Sequence, residues 1–272
     1  MDESVYQPAA IMMLLLFFAG LGALLIVKRH LKEQPVDVER VAKLISRRAF
    51  STKQFTLLAL GLLVLYFLAG CTGLLFFDGY IPEEDKPQLQ LMIQWMLYAL
   101  LAGLFLIINR PRRKRFGMSS KNLRWFPVGM GFYFAAIPII FTASFLYRLL
   151  LSLILGSEIE LQEITQYVRG DWTWLKVSFI FTAVIAAPIY EEIIFRGILF
   201  PFILKRSNLK MAIIFTAVLF AAIHLHIPSL LPIALLSVLL CYAYLRTASI
   251  WTCIGMHMMF NAMSIFALNL IG

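Results

Sequence analysis

WLKVSFIFTAVIAAPIYEEIIFRGILFPFI, residues 174–203, is apolar almost from end to end. Its middle, PIYEEIIFRG at residues 188–197, nevertheless holds Glu191, Glu192 and Arg196. About 20 predominantly apolar residues suffice for a helix to cross the hydrocarbon of a bilayer, and this stretch is longer than that. An ionised side chain at mid-bilayer costs at least about 2.5–3.5 kcal/mol on insertion scales. A span that carries three such groups so close together must turn them toward a protein interior.

The rest of the chain makes the membrane setting general. Its 272 residues are 61% hydrophobic and 14% charged, against about 25% charged in soluble domains. The apolar residues cluster into eight stretches, near 9–27, 55–77, 91–108, 126–147, 174–203, 211–228, 230–245 and 250–271. Each spanning segment must satisfy its own backbone hydrogen bonds. The expected fold is therefore all-α, a polytopic transmembrane helical bundle of about eight spans. The first stretch is read as an uncleaved helix: Asp2 and Glu3 precede it and Lys28 and Arg29 follow it, the reverse of a signal peptide's charge order.

The net charge of +9 is not spread evenly. Basic residues fill the loops after the first, third, fifth and seventh stretches: Arg40, Lys43, Arg47 and Arg48 in the first, RPRRKRF at residues 110–116, then Lys205 and Arg206, then Arg246. The intervening loops are acidic, with Asp78, Glu83, Glu84 and Asp85 in one and Glu158, Glu160, Glu163 and Asp171 in another. This alternation follows the positive-inside rule and puts both termini outside. The basic runs are thus a topology signal, with the lipid bilayer and its anionic headgroups as partner and no nucleic acid. Trp125, Trp172, Trp174 and Trp251 fall near span ends, where amphipathic rings favour the interface. Cys71, Cys241 and Cys253 sit in apolar stretches without a CxxC pair or a disulfide framework.

Subtracting loops and interfaces leaves few ionisable side chains at membrane depth. They are Glu191, Glu192 and Arg196 in the fifth stretch, His224 and His226 in the sixth, and His257 with Asn261 in the eighth; Gln94 is a milder case, and Lys176 lies near enough to an interface to snorkel. Such residues face the bundle interior and pair with one another; one alone is as easily interhelical glue. Helical spacing separates the two glutamates. Glu192 and Arg196 are four apart and form an ion pair on one face. Glu191 lies about 100° round the helix and has Phe195 at its own i+4, so it remains available for chemistry. Pro188 deprives the Val184 carbonyl of its usual partner and kinks the span. His257 and Asn261 share a face and can both donate hydrogen bonds.

A glutamate and a histidine can activate water, and two donors one turn apart can hold a developing oxyanion, which together make a hydrolytic site for an amide or ester. Zinc held by two histidines and one glutamate drawn from three helices is the alternative reading. Against it, no HExxH is present, and asparagine is a better oxyanion donor than zinc ligand.

EEIIFRG matches an EExxxRG motif, FAAIH an FxxxH motif and HMMFN an HxxxN motif. In this order and spacing, over residues 174–266, the chain resembles the CPBP (Abi) intramembrane proteases, which include the type II CAAX prenyl endopeptidases. The resemblance implies a catalytic glutamate at Glu191, water activation helped by His224, an oxyanion hole of His257 and Asn261, and supporting roles for Glu192 and Arg196. It implies no cofactor and a membrane-associated protein or peptide as substrate. It divides the chain into residues 1–173, a four-span region with basic cytoplasmic loops, and residues 174–272, a catalytic four-span region. If the source is bacterial, the location is the cytoplasmic membrane. A catalytically silent protein that binds a partner or toxin, and a proton-coupled transporter, are the competing readings. The first four stretches carry no matching motif.

Overall fold

The computed structural model describes residues 3–33, 35–76, 86–109, 117–155 and 173–271. The basic run at residues 110–116, the acidic loops and Trp172 lie outside them. Every regular element among the described residues is helical. In chain order these are α1 (Glu3–Glu33), α2 (Val38–Ser46), α3 (Thr52–Phe76), α4 (Lys86–Asn109), α5 (Phe126–Leu155), α6 (Trp174–Arg206), α7 (Leu209–Ala222), α8 (Leu230–Thr247) and α9 (Ile250–Ile271). Eight of them lie where the apolar stretches fall. The ninth, α2, is a short amphipathic helix that the sequence reading did not single out. Ile45 is buried, Val38, Val41 and Ala42 pack on the core, and Glu39, Arg40 and Lys43 face outward.

Helices α1, α5, α6, α8 and α9 are long and apolar enough to cross a membrane, and the described parts of α3 and α7 are shorter apolar helices. Their outward faces carry side chains that water would not tolerate in such density: Leu15 is 64% exposed, Ile26 71% and Leu153 75%. A hydrocarbon solvent removes that penalty, and the chain is an integral membrane protein. Polar caps start several helices. Asp37 accepts from the Arg40 N–H at 2.9 Å, Thr173 from that of Lys176 at 3.2 Å and Asn208 from that of Met211 at 2.9 Å. Each meets one of the donors a helix start leaves over. Trp174 and Trp251 stand in the first turns of α6 and α9, and Trp125 just before α5. Lys176 does not reach outward as expected; it is buried.

Helix α8 is the centre of the bundle. It packs against α2, α5, α7 and α9, and Leu236, Ser237, Leu240, Cys241 and Tyr244 recur at helical spacing on its buried face. The tightest crossing is between α5 and α9. A Cβ on Gly129 would stand 2.0 Å from the Thr252 carbonyl oxygen, and one on Gly255 2.2 Å from that of Phe126. Glycine on both sides lets the backbones touch, as membrane helices do where packing replaces hydrophobic drive. This contact fixes α9 one turn from His257.

The connections meet at one end in the way the charge pattern requires. Arg48 Nη1 donates to the Tyr244 hydroxyl at 2.9 Å and to the Ala248 carbonyl at 2.8 Å. Arg206 Nη2 donates to Thr52 Oγ1 at 2.8 Å. Ser249 Oγ donates to the Asn122 carbonyl at 3.5 Å. The segments after the first, third, fifth and seventh apolar stretches thus share one face. At the opposite end the Tyr147 hydroxyl donates to the Ile227 carbonyl at 3.0 Å.

One expected span is cut short. The reading of residues 211–228 as one helix does not hold, because α7 ends at Ala222. The His224 and Leu225 N–H groups bond three residues back, at 3.1 and 3.2 Å, which tightens the last turn. Leu225 then takes a left-handed conformation at φ +48, and Pro228 follows. Fourteen helical residues rise about 21 Å, against about 30 Å of hydrocarbon. His224 therefore lies in the turn that ends α7 rather than on a helix face.

Candidate active site

Two π-helical turns shape α6 around its charged residues, at Thr182–Ala186 and Ile193–Leu199. In the first, the Ala187 N–H bonds to the Thr182 carbonyl five residues back. The next bond in that register would come from residue 188, which is proline and has no N–H. It leaves the Ala183 carbonyl over, not that of Val184 as a plain α-helical register predicts. The carbonyl is met from another helix: Asn261 Nδ2 donates to Ala183 O at 2.7 Å. Replacing Asn261 by leucine is expected to cost about 1 kcal/mol, the low end of the penalty for an unmet carbonyl because this one is partly buried. In a Pro188→Ala background, where residue 188 regains its N–H, most of that cost should vanish. Equilibrium unfolding of the four proteins of this cycle measures it; an unchanged cost would mean that Asn261 does not serve the proline gap.

The second π turn holds Arg196, and the structure separates the adjacent glutamates as the helical spacing predicts. Glu192 is fully buried. Its Oε1 accepts from Arg196 Nη1 at 2.9 Å and from His257 Nδ1 at 2.9 Å. Arg196, also fully buried, extends Nη2 to Ser237 Oγ at 2.7 Å and to the Ser237 carbonyl at 3.1 Å. Its guanidinium carbon lies 4.7 Å from the centroid of the Phe220 ring, a cation–π contact. Glu191 is 24% exposed at its side chain, and its Oε2 sits 3.8 Å from His257 Nε2. That oxygen is itself buried and accepts no hydrogen bond. One carboxylate is locked by a cation and an imidazole; the other is open to approach.

The histidines are oriented by their second nitrogens. His224 Nδ1 lies 2.7 Å from the Phe220 carbonyl. A carbonyl only accepts, so Nδ1 carries the proton and neutral His224 presents a basic lone pair at Nε2. For His257 the carboxylate of Glu192 likewise accepts a hydrogen bond from Nδ1–H, and Nε2 faces Glu191. Phe220 stands between the two rings, its centroid 5.3 Å from His224 and 5.5 Å from His257. The ring also packs edge-on against Phe195 at 4.8 Å. The structure thus brings Glu191, Glu192, Arg196 and His257 into direct contact and links His224 to them through Phe220. Asn261 reaches α6 two turns from Glu191. His226 turns away to Ser229 Oγ at 2.8 Å.

Two contributors escaped the sequence reading. Ser237 on α8 is the second anchor of Arg196, and a lone serine in an apolar helix gives little signal. Tyr98 on α4 stacks on Tyr190 with centroids 4.3 Å apart, beside Glu191, and accepts from Gln94 Nε2 at 2.7 Å; Trp95 stacks on Phe181 one turn away. Among the described residues no three His, Cys, Asp or Glu side chains are grouped so as to hold a metal ion. Cys241 and Cys253 are free and buried.

Comparison with known proteins agrees with the position of this cluster. A family model, Rce1-like (Type II CAAX prenyl endopeptidase Rce1-like), matches residues 172–263. No curated protein and no solved structure matches the chain. The matched segment spans α6 to α9 and contains every residue of the cluster, as the motif-based resemblance to CPBP proteases implied. Residues 172–263 of this integral membrane protein, about a third of the chain, thus match the Rce1-like type II CAAX prenyl endopeptidase family model.

Proposed function

We propose that the chain is an intramembrane endopeptidase that hydrolyses a peptide bond of a membrane-associated protein or peptide, with water activated by glutamate and histidine. The observation that carries this reading is the unequal treatment of the two glutamates. Glu192 is fully buried with its Oε1 held by Arg196 and His257, while Glu191 is partly exposed and meets His257 Nε2 at 3.8 Å. Residues 174–272 form the catalytic region and residues 1–173 its support. Both termini lie outside, and the basic connections lie on the cytoplasmic side.

In this mechanism Glu191 takes a proton from water, which His224 Nε2 orients. The hydroxide adds to the scissile carbonyl carbon, and the oxyanion is held by a proton on His257 Nε2 and by the second N–H of Asn261. Collapse breaks the C–N bond, and Glu191 passes its proton to the departing amine. A His257 that gives its Nδ1–H to Glu192 and an Nε2–H to the oxyanion is a cation, and Glu192 beside it is the counter-charge this step uses.

The test uses the purified protein in nanodiscs with a farnesylated peptide that ends in a CAAX box, and the same peptide without the lipid. Mass spectrometry is expected to find a shortened lipidated peptide and a released C-terminal fragment, together heavier than the substrate by one water. Dialysis against a chelator is expected to leave the rate unchanged. A rate that falls on chelation and returns with zinc would overturn the glutamate mechanism in favour of a metal-bound water.

A further inference from the structure

We propose that Ser237, on the motif-free helix α8, is a positioning residue that sets the orientation of His257 through Arg196 and Glu192. The proposal rests on the peptidase reading above and extends its machinery to a helix that carries none of the three motifs.

The argument follows a chain of hydrogen bonds. Ser237 is fully buried and offers Arg196 Nη2 two acceptors, Oγ at 2.7 Å and the carbonyl at 3.1 Å. The other terminal nitrogen of the same rigid plane donates to Glu192 Oε1, and that single oxygen also accepts from His257 Nδ1. Arg196 Nε has no hydrogen-bond partner and the Cys241 thiol beside the guanidinium is only a weak acceptor, so the in-plane direction is set mainly at the two ends, by Ser237 and by Glu192. The Phe220 ring at 4.7 Å limits the out-of-plane direction only. Without Oγ, Nη2 keeps the carbonyl alone and the plane is free to rotate about it. Glu192 Oε1 then follows Arg196, and the imidazole follows Glu192. His257 Nε2 faces the reacting atoms, so a small rotation there changes the stabilisation of the oxyanion without altering how substrate is held. A planar fork of donors transmits direction in this way, where an ammonium point charge does not.

The experiment compares Ser237→Ala with the near-isosteric pair Ser237→Thr and Ser237→Val, which differ in the acceptor oxygen and hardly in size. Kinetics use the farnesylated CAAX peptide, and histidine-selective 15N NMR reports the His257 ring nitrogens. The expected result is a kcat lower by about tenfold to a hundredfold in Ser237→Ala and Ser237→Val, in line with loss of a hydrogen bond to a charged group. KM should stay within about twofold, Ser237→Thr should keep most of the parent rate, and the His257 nitrogen shifts should move only in the variants that lack the oxygen. Equal kcat in the Thr and Val variants, or His257 shifts unmoved in Ser237→Val, would overturn the proposal. So would a lowered melting temperature with an unchanged kcat per folded molecule, which is the mark of a merely structural serine. If the parent cleaves no peptide, the peptidase reading fails, and the His257 shifts still decide the relay by themselves.

Discussion

Glu191→Gln is expected to lower kcat on a prenylated peptide by about a thousandfold or more while leaving the fold intact. General-base catalysis contributes about 10²–10⁴ in rate, and the amide of glutamine cannot take a proton from water. The substitution is close to isosteric, and the position makes it structurally cheap. Glu191 is partly exposed, its Oε2 accepts no hydrogen bond, and its nearest ionic contact, His257 Nε2 at 3.8 Å, is beyond hydrogen-bonding length. Thermal unfolding should therefore differ little from the parent. Glu192→Gln makes the contrast, since it removes the charge that balances both Arg196 and His257 and should weaken stability and rate together. The pair separates a catalytic carboxylate from a structural one standing beside it in the sequence. A Glu191→Gln protein that cleaves at the parent rate would remove the proposed base and, with it, the reading of the whole cluster as an active site.

How far these residues could be read in advance depends on the physics each one uses. The Glu192–Arg196 pair was legible because it follows from the helical repeat alone, and a π turn between the two residues did not break it. The positions of the apolar helices were legible because a bilayer demands hydropathy of each segment separately, but among the described residues five of them, not eight, have the length and hydropathy to cross it. What was not legible depends on packing between helices. Pro188 announced a lost hydrogen bond, but which carbonyl loses it depends on a π register set by the fold, and that register moved the vacancy from Val184 to Ala183. Asn261 was read as a donor to substrate; one of its N–H bonds goes to that carbonyl instead, which leaves the second for chemistry. His224 was expected on a helix and sits in a turn, because local bonds three residues back and a left-handed Leu225 end α7 early. Ser237 has no periodic or charged signature; its meaning comes from Arg196, which is 41 residues away along the chain.

Arg196→Met should be the most destabilising single change in the domain, at about 3–5 kcal/mol. Removing one partner of a buried ion pair strands the other charge, and here the stranded group is Glu192, buried with Oε2 already lacking a hydrogen bond. The two bonds to Ser237 and the cation–π contact with Phe220 go with it; a desolvated cation–π contact is worth about 2 kcal/mol. For a chain of this size, the loss corresponds to a fall in melting temperature on the order of 10 °C. Its origin can be separated from simple loss of packing by the double variant Glu192→Gln/Arg196→Met. Methionine roughly preserves the side-chain length, and glutamine keeps an oxygen to accept from His257 Nδ1. An uncharged pair of similar volume carries no stranded charge, and buried ion pairs replaced as a unit are often neutral or better in stability. The double variant should therefore recover most of the melting temperature. It should not recover cleavage, because the negative charge that sustains a doubly protonated His257 is gone. Equal melting temperatures for Arg196→Met and the double variant would show that the loss comes from packing around the guanidinium. Restored cleavage in the double variant would show that His257 works without the charge of Glu192.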